Sequence, residues 1–234
     1  MRVSGIFSMA SLHLLDSQIV SCQRCPRLVQ WREEVARVKR KSYQDQEYWG
    51  KPVPGFGPDD ARIVIVGLAP GAHGANRTGR VFTGDSSGDW LYSALYKSRL
   101  ANQPSSTSVD DGLILDSVRI LTAVRCVPPG NKPSTEERDN CLPWFTTELK
   151  ALEHARVFIA LGAFAWGSLW RALIEIGKPL PSEKVKFSHG ATVQFGDCLL
   201  LGSYHPSQQN TFTGVLQPGA MEKIFTKAGR FAHH

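Results

Sequence analysis

The sequence of 234 residues has no apolar run that approaches the roughly 20 residues of a membrane span. The short apolar patch near the N-terminus is interrupted by His13 and Asp16, and no clean small-residue cleavage site follows it. We therefore expect residues 1–15 to form a leader into the first helix rather than a signal peptide. These absences predict a cytoplasmic protein with no membrane partner.

Signatures of nucleotide binding are also missing. The chain contains neither the G-x-x-x-x-G-K-[ST] motif of phosphate-binding loops nor a dinucleotide-binding fingerprint. A nucleotide-binding hydrolase that uses a glycine-rich loop for phosphates is therefore a poor match to this sequence.

Acidic residues are fewer than basic ones, 21 against 27, and the formal net charge at pH 7 is +6. This excess favours a polyanionic partner such as nucleic acid, although many cytosolic enzymes are equally basic. A hydrophobic fraction of 42% with 21% charged residues is ordinary for a soluble globular protein.

Apolar segments that predict buried strands alternate with segments that predict helices. The strands are expected over residues 62–68, 117–127, 156–162, 191–196 and 198–204, the last two as a hairpin-like pair. The helices are expected over residues 17–40, from an N-cap at Ser86 or Ser87, from a capping box at residues 134–138, over 163–177 and over 218–230. This order predicts one α/β domain over residues 1–234, a three-layer α/β/α fold with a central, mostly parallel, four-stranded sheet.

The segment "GLAPGAHGANRTGRVFTGD", from Gly67 to Asp85, directly follows the first strand. Five glycines in nineteen residues are too many for a packed helix or strand. Such a bare backbone lets main-chain N–H groups approach a ligand closely. Because ligands of parallel sheets bind beyond the carboxyl ends of the strands, we expect this loop and the one that begins at His205 to meet at one edge.

The five cysteines include a C-x-x-C pair, Cys22 and Cys25, and two more, Cys126 and Cys141, that are separated by fourteen residues. These four can supply four thiolates to one metal centre, and their spacing does not separate zinc from an iron–sulfur cluster. The alternatives are four unrelated buried thiols or disulfides, although a reducing compartment disfavours the latter. The fifth, Cys198, lies in an apolar run and is interpreted as a core residue.

Three motifs in order, "GLAPGAHGANRTGRVFTGD", "VRCVPPGNKP" and "HPSQQNTFTG", together with the cysteine pattern, resemble the family 5, or B-type, uracil-DNA glycosylases. The resemblance extends from Cys22 to about Gly214. Family 4 enzymes carry an acidic residue where this chain has Leu68, and an asparagine where it has Thr122. Family 5 shares both absences, which supports the resemblance and implies that the catalytic roles lie elsewhere.

The resemblance implies a monofunctional DNA repair glycosylase. Such an enzyme flips a deaminated base, uracil and often hypoxanthine or xanthine, out of DNA and hydrolyses its N-glycosidic bond to leave an abasic site. It further implies a structural [4Fe–4S] cluster on Cys22, Cys25, Cys126 and Cys141, with zinc the less favoured cofactor. We expect DNA that contains a deaminated base as the partner of a monomeric protein. The alternative is a non-catalytic iron–sulfur protein of the same fold that only binds DNA.

Three residues in the motifs match the chemistry of base release, which places negative charge on the base and positive charge on the sugar. His205 is the candidate donor to the base. Asp85 is expected to orient the attacking water or to offset the sugar's charge, although it could also be the N-cap of the next helix. Asn131 can read a base edge or hold the water, and its alternative role is that of a turn residue beside Gly130.

The remaining candidates surround the base or the DNA backbone. Phe82 is expected to stack on the flipped base, with a core role as the alternative. The full set of substrate-binding candidates is Gly67, Ala69, Gly71, His73, Asn76 and Phe82. The candidates for DNA contacts are Arg77, Arg80 and Lys132 on phosphates, and Ser207, Gln208, Gln209 and Asn210 in the minor groove. Each of the cations could equally be a solvated surface residue.

Overall fold

The computed structural model describes residues 9–233. Residues 1–8 of the expected leader lie outside this range, and its remainder already belongs to the first helix. Within residues 9–233, no helix is both long enough and apolar enough to cross a membrane.

Eight helices and five strands make up the described part of the chain. The helices are α1 Met9–Val20, α2 Pro26–Val38, α3 Ala75–Thr78, α4 Ser86–Lys97, α5 Thr135–Ala151, α6 Ala163–Glu175, α7 Gln208–Phe212 and α8 Ala220–Ala232. The strands are β1 Ile63–Gly67, β2 Val118–Thr122, β3 Val157–Leu161, β4 Thr192–Phe195 and β5 Cys198–Ser203. Short 3₁₀ helices occupy Lys41–Tyr43 and Pro129–Asn131.

The strands form one sheet in the order β2-β1-β3-β5-β4. Strands β2, β1, β3 and β5 are parallel, and β4 pairs antiparallel with the outer side of β5. The α/β class and the mostly parallel sheet are confirmed, but the prediction of four strands is wrong. The fifth strand arises because the tight turn at Gly196 and Asp197 folds β4 back onto the free edge of β5.

Helices bury both faces of the sheet, which explains why the central strands β1 and β3 are apolar at every position. Ile63 and Ile65 of β1 point into a core that includes residues of α4 and α8. Val64 and Val66 point into the opposite core, which includes residues of α1, α5 and α6. This alternation produces the expected three layers.

Three boundaries differ from the sequence predictions. The helix expected over residues 17–40 is two helices, because α1 ends at Val20 and α2 starts at Pro26, a residue favoured in the first helical turn. The strand expected over residues 117–127 ends at Thr122, whose hydroxyl donates to the carbonyl of Val124 where the chain bends. The N-cap of α4 is Asp85, not Ser86 or Ser87.

The capping box at the start of α5 is confirmed. The Ser134 hydroxyl accepts from the Glu137 backbone N–H at 3.1 Å, and the Glu137 carboxylate accepts from the Ser134 N–H at 2.7 Å. This fixed start positions Cys141 two turns into the helix.

Candidate active site

The glycine-rich loop and the His205 loop meet at the carboxyl edge of the sheet, as predicted. The rings of Phe82 and His205 pack with their centroids 5.7 Å apart and their planes tilted by 36°. A Cβ on Gly67, the last residue of β1, would lie 2.7 Å from the Phe82 ring. Glycine at this position therefore gives Phe82 the space to lie beside His205.

His205 lies two residues after the end of β5, and its ring is neutral. Burial lowers its pKa from 6.5 to about 4, so the imidazole is uncharged at neutral pH. Its backbone carbonyl accepts a hydrogen bond from Asn210 Nδ2 at 2.8 Å. A Cβ on Gly162 would lie 3.4 Å from His205 Cβ, so the glycine lets β3 and the His205 loop pack closely together. The site therefore presents an imidazole that can donate from one nitrogen without carrying charge.

Asp85 caps α4, because its Oδ1 accepts from the Gly88 backbone N–H at 3.0 Å. The other carboxylate oxygen lies against the glycine-rich loop, where a Cβ on Gly74 would come within 1.9 Å of Oδ2 and one on Gly71 within 2.9 Å. Burial raises the pKa of Asp85, and the backbone N–H groups of Gly88 and Ser87 oppose this shift. Two of the glycines are thus needed to admit this carboxylate, a role that the sequence alone did not reveal.

Phe82 adopts a strained backbone conformation. Its φ of 51° is in the left-handed region, which a bulky residue rarely adopts, and its side chain is only 7% exposed. Strain of this kind costs on the order of 1–3 kcal/mol and is concentrated at functional sites. The ring is therefore fixed in place beside His205 before any ligand binds.

The side chain of His73 is hydrogen-bonded to Tyr48. Tyr48 Oη accepts from the Arg40 backbone N–H at 3.3 Å and forms a second hydrogen bond with His73 Nδ1, at 3.0 Å. Burial lowers the pKa of His73, and the charges of Arg40 and Arg77 lower it further. Ala69, another predicted contact, packs beside the cluster that contains Cys126.

Three loop residues predicted to face substrate or DNA are buried and bond other groups of the protein. Asn76 is fully buried and donates from Nδ2 to the Arg32 carbonyl at 3.3 Å. Arg77 donates to the backbone carbonyls of His73 and Gly84 and to the side chain of Gln46. Arg80 is 5% exposed and forms an ion pair with Asp111 at 2.7 Å. This burial is evidence against phosphate contacts by the two arginines and favours a role in shaping the loop.

Asn131 and Lys132 lie on the exposed 3₁₀ turn after β2. Asn131 has a φ of 57°, as its turn role requires. Among the described residues, no hydrogen bond joins its side chain to Asp85 or His205. The catalytic role of Asn131 stays a prediction.

The predicted minor-groove residues form the short helix α7 and its N-cap. The Ser207 hydroxyl accepts from the Asn210 backbone N–H at 3.3 Å, while Gln208 and Gln209 are exposed. Phe212, at the end of the same helix, is 84% exposed. The sequence reasoning missed Phe212, although an aromatic residue within an otherwise polar loop was a usable signal.

The four cysteines Cys22, Cys25, Cys126 and Cys141 line one cavity between the α1–α2 turn, the segment after β2 and helix α5. Each sulfur lies within hydrogen-bonding distance of an N–H group. The donors are Trp144 Nε1 to Cys22 at 3.3 Å, Asn140 Nδ2 to Cys25 at 3.7 Å, Arg32 Nη1 to Cys126 at 3.2 Å and the Arg125 backbone N–H to Cys141 at 3.3 Å. None of these four donors was identified from the sequence.

Further N–H groups around this cavity have no partner among the described residues. They are Nε of Arg32 and both Nε and Nη1 of Arg125, and each arginine is only 1% exposed. Both side chains line the cavity of the cysteines. Buried orphan donors are costly, and a negatively charged group held by the thiols would fit them.

Within residues 9–233, no group of three or more His, Cys, Asp or Glu side chains is placed so that it could hold a single metal ion. The four cysteines nevertheless line one cavity, and the metal centre that they would hold stays a prediction.

Comparison with known proteins identifies the family of this chain. Residues 54–228 match the family model described as the uracil DNA glycosylase superfamily. A type-5 uracil-DNA glycosylase of Mycobacterium leprae is 50% identical over 95% of this chain and 96% of its own length. A type-5 enzyme of Thermus thermophilus is 46% identical over 92% of this chain and 95% of its own length, whereas a type-4 enzyme of Pyrobaculum aerophilum is 31% identical over 92% and 90%.

An α/β sheet with a partly buried carboxylate and a neutral imidazole at its carboxyl edge defines the general class, an enzyme whose site lies beyond the strand ends. The chain belongs to the uracil DNA glycosylase superfamily and, within it, to the type-5 uracil-DNA glycosylases.

Proposed function

We propose that this protein excises uracil from DNA by hydrolysing the N-glycosidic bond, which leaves an abasic site for repair. Its type-5 relatives carry the name uracil-DNA glycosylase and align with nearly the whole chain. The observation that carries the proposal is the site itself: the His205 imidazole packs on Phe82, and the Asp85 carboxylate belongs to the same loop as Phe82.

Each of the two polar groups has a role in the proposed reaction. When the bond to the sugar breaks, the base departs with negative charge, which the neutral imidazole of His205 can stabilise by donating a hydrogen bond. The ionised carboxylate of Asp85 can orient a water towards the sugar and offset its developing positive charge. Neither role needs a charged histidine, and burial of His205 keeps it neutral.

The proposal extends to hypoxanthine and xanthine, because each also presents a carbonyl oxygen that a neutral imidazole donor can address. Single-turnover reactions on duplexes that carry uracil, hypoxanthine, xanthine or thymine at one position, followed by alkali, test this. Strand breaks at the deaminated bases and none at thymine are expected. Binding of abasic DNA without any break would instead indicate the non-catalytic alternative.

The cysteine cavity fits a [4Fe–4S] cluster, which we propose as the structural cofactor. The support is the presence of four thiols around one cavity, an N–H donor at each sulfur and unpaired buried arginine donors beside them. When bound, such a cluster supplies four iron–thiolate bonds that join the α1–α2 turn to the segment after β2 and to α5. Base release itself is left to Asp85 and His205. We further propose that the protein acts as a cytoplasmic monomer.

We expect Phe212 to insert between bases of the duplex and support the flipped nucleotide. An exposed apolar side chain on a DNA-binding loop can act as such a wedge. Changing Phe212→Ala should lower the rate on duplex DNA roughly tenfold, since one lost base–aromatic stack is worth about 1–3 kcal/mol. The rate on single-stranded DNA should change little, because no stacked pair has to be opened.

The matched control for Phe212 is Tyr96→Ala, which removes another exposed aromatic ring, near the end of α4. Tyr96→Ala should leave both rates unchanged. Equal losses on duplex and single-stranded DNA in Phe212→Ala would argue against a wedge.

The pH profile of base release should have an acid limb that belongs to Asp85. Its pKa is raised, so the carboxylate gains a proton, and the rate falls, as pH decreases through that raised value. A His205→Gln variant should lose roughly 10²- to 10³-fold in rate, the scale of one lost transition-state donor. The variant should nevertheless keep the acid limb, and disappearance of that limb would assign it to His205 instead.

The same variant should change how stability depends on pH. The unfolded chain protonates His205 near pH 6.5, while the folded protein keeps it neutral down to about pH 4. The depressed pKa therefore contributes stability above pH 6.5 that is lost as pH falls towards 4. Melting temperatures of wild type should fall more steeply over this interval than those of His205→Gln.

A further inference from the structure

The segment over residues 187–191 is hydrogen-bonded to the end of β5, just before His205. The Gly190 N–H donates to the Gly202 carbonyl at 2.9 Å, and the Gly202 N–H donates to the Ala191 carbonyl at 2.8 Å. A Cβ on Gly202 would come within 2.6 Å of the Ser188 carbonyl oxygen, so the two segments are in close contact. This packing brings His189 to the residue that precedes His205.

His189 holds the peptide that joins Ser203 to Tyr204, one residue before His205. Its Nδ1 accepts a hydrogen bond from the Tyr204 backbone N–H at 3.1 Å, and the two rings pack with centroids 5.2 Å apart. Because Nδ1 accepts, the proton of the neutral ring is on Nε2. The position of the Tyr204 peptide therefore depends on an acceptor at one particular atom of the His189 side chain.

Asn210 holds the peptide on the C-terminal side. Its Nδ2 donates to the His205 carbonyl at 2.8 Å. The Asn210 residue is itself fixed, since its N–H donates to the Ser207 hydroxyl and its carbonyl accepts from the Leu216 N–H at 2.9 Å. Side chains from two separate segments thus bond the backbone at the Tyr204 N–H and at the His205 carbonyl.

We propose that His189 and Asn210 are positioning residues that together fix the direction of the His205 imidazole towards the departing base. The inference rests on the proposed role of His205 in base release. It replaces the sequence expectation that Asn210 contacts DNA. A small rotation of the backbone between these two hydrogen bonds would move the His205 ring off Phe82. Misplacement of a reacting group by about 1 Å can cost on the order of 10²-fold in rate.

Two substitutions at His189 separate the hydrogen bond from ring packing. His189→Phe keeps a ring against Tyr204 but removes the acceptor, whereas His189→Asn places an oxygen where Nδ1 was and removes the ring. We expect His189→Phe to lower the single-turnover rate at saturating enzyme roughly tenfold or more, and His189→Asn to recover most of the loss. The dissociation constant for abasic-site DNA should stay at the wild-type value in both. His154→Phe, in the exposed turn before β3, is the matched control and should be unaffected.

Asn210→Ala tests the hydrogen bond to the His205 carbonyl. We expect a slower single-turnover rate and an unchanged dissociation constant for abasic-site DNA. A weaker DNA complex with an unchanged rate would overturn the proposal and return Asn210 to the DNA contacts. A wild-type rate in His189→Phe, or equal loss in His189→Phe and His189→Asn, would overturn the role of His189.

Two further readouts keep the test independent of folding and of the proposed function. Melting temperature and visible absorbance of the purified protein identify a variant that has merely lost its fold. The imidazole NMR signals of His205 should shift or broaden in His189→Phe and return towards wild type in His189→Asn. If wild type releases no base, the proposed function fails, while the NMR comparison still decides whether His189 orients His205; unchanged signals in His189→Phe would overturn the inference.

Discussion

An Asp85→Asn variant should lose roughly 10²- to 10⁴-fold in the single-turnover rate of base release, the usual scale for a positioned acid–base group. Asparagine keeps the size of the side chain and is as good an N-cap as aspartate, so α4 should keep its start. What it removes is the negative charge beside Gly71 and Gly74. Quenched-flow or manual single-turnover assays with excess enzyme measure the loss directly.

The same variant should be at least as stable as wild type. Burial raises the pKa of Asp85 in the folded state, so this carboxyl favours folding at low pH and loses that contribution as pH rises through the raised value. At pH 7 the folded protein therefore carries a charge that opposes folding, and asparagine removes it. A lower melting temperature in Asp85→Asn would contradict this reasoning.

Asp89→Asn provides the matched control, because Asp89 is an exposed carboxylate in the first turn of the same helix. Its rate should stay close to wild type. If Asp85→Asn also kept the wild-type rate, Asp85 would have to be removed from the mechanism.

Cys141→Ser should produce a protein that has lost its iron and most of its stability. Cys141 is buried in the middle of α5, and its sulfur accepts from the Arg125 backbone N–H. Without the thiolate, the proposed cluster loses a ligand. Without the cluster, the buried N–H groups of Arg32 and Arg125 that it would accept from have no partner. Loss of a structural metal site commonly abolishes folding, so we expect colourless, poorly soluble protein.

Cys198→Ser is the control for this experiment, since Cys198 is equally buried but belongs to β5, outside the cysteine cavity. It should retain the visible absorbance and four irons per chain. Iron analysis and thermal melting of both variants provide the readout. Equal iron content in Cys141→Ser and wild type would show that the proposed ligand set is wrong.

The sheet and its site edge were predictable because they depend on short-range patterns. Continuous apolar runs identified β1 and β3, and the capping box identified the start of α5. Chain order then placed the loops of Phe82 and His205 at the same edge, since the carboxyl ends of parallel strands coincide.

What the sequence did not reveal depends on long-range packing. Arg77 and Arg80 are residue types that bind DNA phosphates, and only the folded structure shows that their guanidinium groups bond other parts of the protein. The close fit of Asp85 over Gly74, and the bond from Tyr204 to His189, join residues whose proximity no local pattern specifies. The left-handed φ of Phe82 is likewise imposed by its surroundings rather than by its own preference.

The most direct test of the account is the release of free uracil in a single turnover by iron-loaded protein. The substrate is a duplex with one uracil opposite guanine, and the control is the same duplex with thymine. The account predicts one free uracil and one abasic site per duplex with wild type, and a rate at least 10²-fold lower with Asp85→Asn or His205→Gln. No free uracil from wild-type protein that binds the duplex, or equal rates in all three proteins, would contradict it.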